Sequence, residues 1–342
     1  MADWAVALRK ELNRREPRLA DAIGLRDGIE GTAFEKTLGE LLRWQELRPL
    51  NKRFRGLGGD RAGAFFTEVD RAYELEERRL KDIIAAINTS LFRSFGATQI
   101  DTEKATDAYG PLLRLLGDGD DLTIVTTNYD PAAWLALKEL GKRPETGFDR
   151  SPGIRPPIAP EGMVETARAT KEAVAVLHLH GAVGWYEKEE DGARRVYEHL
   201  PDEPFDPGRG RPVVLYPDPD KDPTRDAVVQ DLWQEFDSAL EGADVVVVIG
   251  HSLNDPALVS KLRTAAEFTD VCIGVYPGPR EAFGDGEPTT IAQAEVDRIR
   301  ENVSLQVDVV PVRFGPGTLG DLSHLESWLC AKERQPSRMP GR

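Results

Sequence analysis

Hydrophobic and polar positions follow two different periods along this chain. From Trp4 to Asn13 and from Phe34 to Leu47 the apolar residues recur at helical spacing, with Phe34, Leu38, Leu41, Leu42 and Leu47 forming one stripe between charges. That pattern predicts surface helices packed on a neighbour. Gly56-Leu57-Gly58-Gly59 interrupts it. From Ala64 to Phe95 the apolar residues return at steps of three and four, through Phe66, Val69, Tyr73, Leu80, Ile83, Ile84 and Ile87, and a further helix is expected over Lys104–Leu116. Three short apolar runs then stand apart, because each is continuous and each stops in polar residues or glycine. The first ends in Thr126-Thr127-Asn128-Tyr129-Asp130, the second, Val174-Ala175-Val176-Leu177-His178-Leu179, in His180-Gly181, and the third, Val245–Ile249, in Gly250-His251-Ser252-Leu253-Asn254-Asp255. Continuous β-branched runs belong to parallel strands covered on both faces, and in open sheets of that kind ligands bind just beyond the carboxyl ends. The polar clusters are therefore expected to converge on one crevice.

Between these runs the pattern predicts a helix over Ala132–Leu140, with Asp130 as N-cap and Pro131 at the first helical position, stopping at Gly141. The Pro-rich stretch 150–157 reads as a loop over the crevice. Glu187–Arg211 reads as a polar, hairpin-like excursion without a core of its own. A strand over Arg211–Tyr216 leads into Pro217–Lys221, followed by a helix over Thr224–Leu240, the Val-rich strand, a helix over Pro256–Phe268, and strands over Val271–Tyr276 and Leu305–Val310. Strands alternating with helices in this order predict an α/β fold: a doubly wound, Rossmann-like, mostly parallel sheet with a helical N-terminal insertion. Residues 1–334 are expected to form the domain, with 27–116 as the helical insertion or subdomain and 335–342 as a disordered tail.

Composition narrows the class of function. A net charge of -15, without basic residues interleaved with aromatics, argues against nucleic acid as a direct partner. Cys272 and Cys330 are too few for a disulfide framework or a cysteine-based zinc site, which fits a reducing cytoplasm. No run is apolar enough for a signal core or a membrane span, so a cytoplasmic protein without membrane contact is expected.

Taken in order, Thr126-Thr127-Asn128-Tyr129-Asp130, His180-Gly181 and Gly250-His251-Ser252-Leu253-Asn254-Asp255 resemble the motifs of the sirtuin-like family, specifically the prokaryotic sirtuin-like NAD hydrolases associated with defence against phage. Leu215-Tyr216-Pro217 through Lys221 and the helix carrying Leu232-Trp233 also match what the family places between its His and Ser motifs, so the resemblance runs from about Asp3 to Phe314. It implies a hydrolase (an NAD nucleosidase) with NAD as substrate, no zinc, and Asn128 and His180 as catalytic residues. It further implies dinucleotide contacts from Gly250 and Ser252, with Thr127 and Asp130 beside them. NAD or ADP-ribose would be the ligand, and a homo-oligomer or a defence-system protein the macromolecular partner.

The residue types suit that chemistry. Loss of nicotinamide leaves oxocarbenium character on the ribose, so the site must orient the sugar and a nucleophile. A histidine near neutral pKa can take a proton from water or a ribose hydroxyl, and an Asn amide offers both donor and acceptor to fix either. Gly250 allows backbone approach, Ser252 a hydroxyl, and the helix opening at Asp255-Pro256 aims N–H groups at an anion. Ordinary readings stand beside these. Thr-Asn-Tyr-Asp after a strand forms an Asx-type turn and helix cap unaided, Asp130 can bond a ligand or simply cap, and Asp255 reads as an N-cap. His178, two residues before His180 and on the same side of the strand, reads as structural, and His251 as a crevice wall. His199 and His324 are expected at the surface, and Trp4, Trp44 and Trp134 in the core or in helix packing.

One departure accompanies the resemblance. Family members open with a strand ending in a Gly-Ala-Gly loop that wraps the NAD phosphates, whereas Met1-Ala2-Asp3-Trp4 matches the start of the helix after it. Gly56-Leu57-Gly58-Gly59 follows no apolar strand and cannot replace the loop. The expectation is either a coding start upstream that restores the strand, or a degenerate, non-catalytic NAD-binding or scaffold protein. Without that strand its neighbours would carry unpaired backbone groups. A deacylase is disfavoured, since it would need a four-cysteine zinc module.

Overall fold

The computed structural model describes residues 2–15, 20, 25, 82–83, 85–115, 122–148, 173–198, 211–215, 227–275, 293–312 and 322–333. The expected helix over 34–47, the Gly-rich break, most of the 64–95 helix, the 150–157 loop, Pro217–Lys221, Trp44, His199 and the tail lie outside them.

Helix α1 (Ala2–Arg15) buries Trp4, Leu8 and Leu12, one residue per turn. These meet Ile83, Ile87 and Leu91, which lie at the same four-residue spacing in helical residues 82–83 and 85–95, the latter run being α2. Polar contacts fix the pairing: Trp4 Nε1 donates to Ser90 Oγ at 3.0 Å, and Arg93 bonds the buried Glu11 carboxylate at 3.0 Å. Arg14 and Arg15 crowd the same carboxylate, and the Arg14 hydrogen bond leads in holding it below its usual range. Trp4 then meets Phe95 edge-on at 5.8 Å, and Phe95 meets Tyr129 at 6.0 Å. The helices thereby dock on residues just after the first strand.

That strand, β1 (Thr123–Thr126), follows α3 (Thr102–Leu115) and precedes α4 (Ala132–Glu139) and β2 (Arg143–Glu145). Next come β3 (Ala173–His178), the hairpin β4 (Gly181–Glu190) and β5 (Ala193–Glu198), β6 (Arg211–Val214), and α5 (Ala227–Gly242). The chain continues with β7 (Val245–Ile249), α6 (Pro256–Ala265), β8 (Asp270–Val275), α7 (Gln293–Asn302), β9 (Asp308–Pro311) and α8 (Ser323–Glu333). Among the described residues the strands form two three-stranded parallel sheets, ordered β1-β3-β2 and β7-β8-β9, and an antiparallel sheet ordered β5-β4-β6. The fold is α/β.

Both parallel sheets are packed on two faces. In β7, Val246 and Val248 pack on the cluster of α5, α6 and α7, while Val247 and Ile249 pack on that of α8. In the first sheet Ile124, Val174 and Val176 meet α3 and α4, and Val125 and Leu177 face the other way. Alternation within apolar runs, invisible in a sequence of valines, is thus real in space.

Two expectations gain detail and one needs correction. The strand at Arg211 pairs antiparallel with β4. The hairpin turns at Asp191-Gly192, and its stem packs Trp185 and Val196 against Leu177 and Leu232 rather than forming a core of its own. β9 starts at Asp308, because residues 305–306 form a turn and Leu305 is 81% exposed.

Candidate active site

The carboxyl ends of β1, β3 and β7 gather in one place. Past β3 the chain turns, and Leu179 N–H donates to Thr126 O at 2.9 Å, stitching the turn to the end of β1. Gly181 makes the exit possible. Its φ is +72°, and a Cβ there would lie 2.0 Å from Val213 O, so neither the backbone nor the space admits a side chain. Tyr129 ties the layers together, since its hydroxyl donates to Leu215 O at 2.7 Å while its carbonyl accepts from Val183 N–H at 2.8 Å.

His180 sits at this junction, 3% exposed. Its Nε2 lies 3.2 Å from Asp255 Oδ2, and its ring stacks on Trp233 at 6.4 Å and faces Tyr129 at 6.4 Å. Trp233 is itself held, Nε1 donating to Leu179 O at 2.9 Å. A carboxylate only accepts, so Nε2 carries the proton toward Asp255 and Nδ1 is left as the basic nitrogen. The other oxygen of Asp255 accepts from Ala257 and Leu258 N–H at 3.0 and 3.2 Å, as an N-cap of α6 with Pro256 following. One aspartate therefore starts a helix and orients a histidine.

This arrangement removes one expected anion site. Pro256 has no N–H, Ala257 and Leu258 donate to the Asp255 side chain, and Val259 donates to its carbonyl. The first turn of α6 is already satisfied by its own carboxylate. The loop before it remains open: Gly250 and Ser252 are exposed, and Gly250 has φ +70° with nothing within 4 Å of where a Cβ would stand. Gly250 is needed for its conformation rather than for close packing. Leu253, buried, also takes a left-handed φ of +56°, and its N–H donates to His251 Nδ1 at 2.9 Å. Gly250 adopts this conformation freely, whereas Leu253 stores strain in the loop where a ligand would be held.

Asn128 is exposed and Thr127 half-buried at the end of β1, with Asn128 N–H bonded to Thr126 Oγ1 at 3.0 Å. The Asn128 carbonyl accepts from His178 Nδ1 at 3.2 Å. His178 is 2% exposed, edge-on to Trp185 at 5.4 Å, and burial pushes it below its ordinary 6.5 against the opposing pull of that carbonyl and of Asp130. The contacts of its ring, to the Asn128 carbonyl and Trp185, differ from those of His180 to Asp255, Trp233 and Tyr129, because β3 ends at His178 and strand alternation ends with it. Asp130 Oδ1 accepts from Ala132 N–H at 3.0 Å, with Pro131 rather than Asp130 at the cap position of α4.

Beside the junction lies a cavity of about 630 Å³ between β1 and β7, with Thr127, Asn128, Gly250 and His251 at one end. His180 is not in its wall. The structure thus brings Asn128, Thr127 and Gly250 to a shared opening and seats His180 one layer behind. The partnership of His180 with Asp255 and Trp233 was missing from the sequence reading. Asp-Pro signals a cap, but no local signal reveals a second partner 75 residues away. Among the described residues, no group of three or more His, Cys, Asp or Glu is placed to hold a metal, and no helix is long and apolar enough to cross a membrane. No family model matches the chain, and no curated protein matches it at a significant level.

Proposed function

We propose that this chain is a sirtuin-like NAD+ hydrolase that cleaves the nicotinamide–ribose bond with water, yielding nicotinamide, ADP-ribose and a proton, and serves as a defence or toxic effector. The observation that carries this reading is the buried His180–Asp255 pair just past β3, with Asn128 exposed just past the neighbouring strand β1. In it, His180 Nδ1 takes the proton from the attacking water or a ribose hydroxyl, and Asp255 stabilises the imidazolium that forms. The Asn128 amide orients the ribose or the water, and the exposed Gly250–Ser252 loop and Thr127 hold the ribose and diphosphate. Asp130 shapes the loop through its turn. The sheets belong, in this reading, to a doubly wound Rossmann-like fold in which ligand sits at the strand ends.

Nicotinamide release is the test, measured beside thermal melting. Asn128→Ala, at an exposed position, should melt with the parent and lose activity at least about a hundredfold. His180→Ala should lose activity and also stability, by about 2–4 kcal/mol, because the ring is buried. Turnover within tenfold of the parent in His180→Ala sinks the mechanism. A second reading, a non-catalytic NAD- or ADP-ribose-binding or scaffold protein, draws on that same 3% exposure of His180. Calorimetric NAD binding without nicotinamide release would select it.

A further inference from the structure

Among the described residues His180 has one polar tie, from Nε2 to Asp255 Oδ2. A single hydrogen bond fixes one atom of a ring and leaves the ring able to tilt about it, carrying Nδ1 along; packing has to remove that freedom. Here the packing is aromatic. Trp233 of α5 and Tyr129, just past β1, each bring a ring centroid to 6.4 Å from the imidazole, within the range of ring–ring contact. The two rings are held differently. Trp233 bonds Leu179 O through Nε1 and meets Phe236 of its own helix edge-on at 6.1 Å, so its support is local. Tyr129 lies in a loop and is supported from three other parts of the chain. Its hydroxyl donates to Leu215 O after β6, its carbonyl accepts from Val183 N–H of β4, and its ring meets Phe95 of α2 at 6.0 Å.

Phe95 is the last residue of α2, and the backbone fixes it there. Gly96 N–H donates to Phe92 O at 2.7 Å, and a Cβ at Gly96 would lie 2.5 Å from that same oxygen, so only glycine lets the chain leave the helix at this point. On its other side Phe95 meets the edge of Trp4, which is buried and tied to Ser90. Trp4, Phe95, Tyr129, His180 and Trp233 therefore form an unbroken series of ring contacts from α1 to α5.

We propose that Tyr129 is a positioning residue for His180 and for Asn128, and that Phe95 holds it in place, so that the α1–α2 pair sets the geometry of the site. Tyr129 acts on His180 through ring packing and on Asn128 through the peptide bond they share. Without the Phe95 ring, Tyr129 stays anchored at its hydroxyl but loses the contact that steadies its ring, and the imidazole is freed to tilt. Misplacing reacting atoms by about 1 Å costs on the order of a hundredfold in rate, so a partial loss of support should cost about tenfold. That kinetic consequence rests on the hydrolase reading, whereas the consequence for the imidazole does not.

The test compares Phe95→Leu, Phe95→Tyr and Tyr129→Leu in the full chain, with Ile87→Val as control. Ile87 is buried in the same helix pair but carries no ring, so its variant loosens the packing without breaking the series. Nitrogen NMR shifts of the His180 ring, read without nucleotide, show whether one tautomer prevails, and exchange of its Nε2 proton with water shows how firmly it is held. The parent should show one tautomer and a slowly exchanging proton. Phe95→Leu and Tyr129→Leu should mix the tautomers and speed the exchange by about tenfold or more. Phe95→Tyr should keep the parental signature, and Ile87→Val should keep it while melting earlier. In nicotinamide release, Phe95→Leu should lower kcat about tenfold with KM within about threefold of the parent. Phe95→Met, which keeps the volume and loses the ring, answers the same question if either leucine form does not fold. A mixed signature in the parent overturns the proposal, as does an unchanged one in Phe95→Leu or Tyr129→Leu. An equal change in Ile87→Val assigns the effect to helix packing and overturns it too, and so does an altered ring with kcat unchanged. A parent that releases no nicotinamide, with the ring responses as expected, refutes the hydrolase reading and leaves the positioning of His180 supported.

Discussion

Asp255 offers the sharpest separation of structure from chemistry, because its two oxygens do different work. Oδ1 caps α6 through Ala257 and Leu258 N–H, and Oδ2 faces His180 Nε2 at 3.2 Å. Asp255→Ala removes both. Loss of the cap costs about 1 kcal/mol, and leaving the buried His180 N–H unpaired costs about 1–3 kcal/mol. Together these amount to about 2–4 kcal/mol, a fall in melting temperature of roughly 4–16 °C for a domain of this size. Asp255→Asn behaves differently. Its carbonyl oxygen still caps the helix, and its amide still meets the imidazole, now as donor to Nε2. Stability should fall by less than about 1 kcal/mol. The imidazole, however, is driven to the other tautomer, with the proton on Nδ1, and loses the nitrogen proposed as base. Tautomer reversal of this kind costs roughly four orders of magnitude in turnover. Calorimetric melting and a nicotinamide-release assay on parent, Asn and Ala forms give the answer together. Asp255→Asn with near-parental melting and turnover within tenfold of the parent would refute the orienting role. Melting of the Asn form as low as that of the Ala form would refute the capping argument.

Two glycines with nearly equal torsions should respond unequally to alanine. At Gly250, φ is +70° and the surroundings are open, so Gly250→Ala costs about 1–2 kcal/mol and keeps the fold, read as a small drop in melting temperature. At Gly181 the added methyl meets Val213 O at 2.0 Å, so the same change must part β4 from β6 and should cost more than about 3 kcal/mol or prevent soluble expression; equal melting of the two variants would contradict this. His178 predicts a pH dependence. Its folded pKa lies below the unfolded 6.5, so the unfolded state binds more protons in that interval, and the stabilisation is complete above about 7 and lost as pH falls through 6.5 toward the folded value. Denaturant melts between pH 7.5 and 5 should show stability falling with acid, and His178→Gln should flatten that slope; an unchanged slope would assign it elsewhere.

The apolar runs at 122–125, 174–179 and 245–249 determined by themselves that these segments are strands and that polar residues follow their carboxyl ends. Composition and period are local properties, and continuous β-branched runs have few other stable uses. The cap at Asp255-Pro256 was legible for the same reason, since its donors are two and three residues away. Tertiary structure decided the rest. Only folding could bring Asp255 to His180 across 75 residues, turn the strand at Arg211 to pair antiparallel with β4, and spend the N–H groups of α6 on its own carboxylate. A hydrogen bond between distant residues leaves no periodic trace, because it constrains two positions rather than a pattern. The same holds for β1 and β7, which among the described residues pair on one side only. Five valines and isoleucines read as a strand covered on all sides, and whether a neighbour lies beside them depends on which chain segments reach that place.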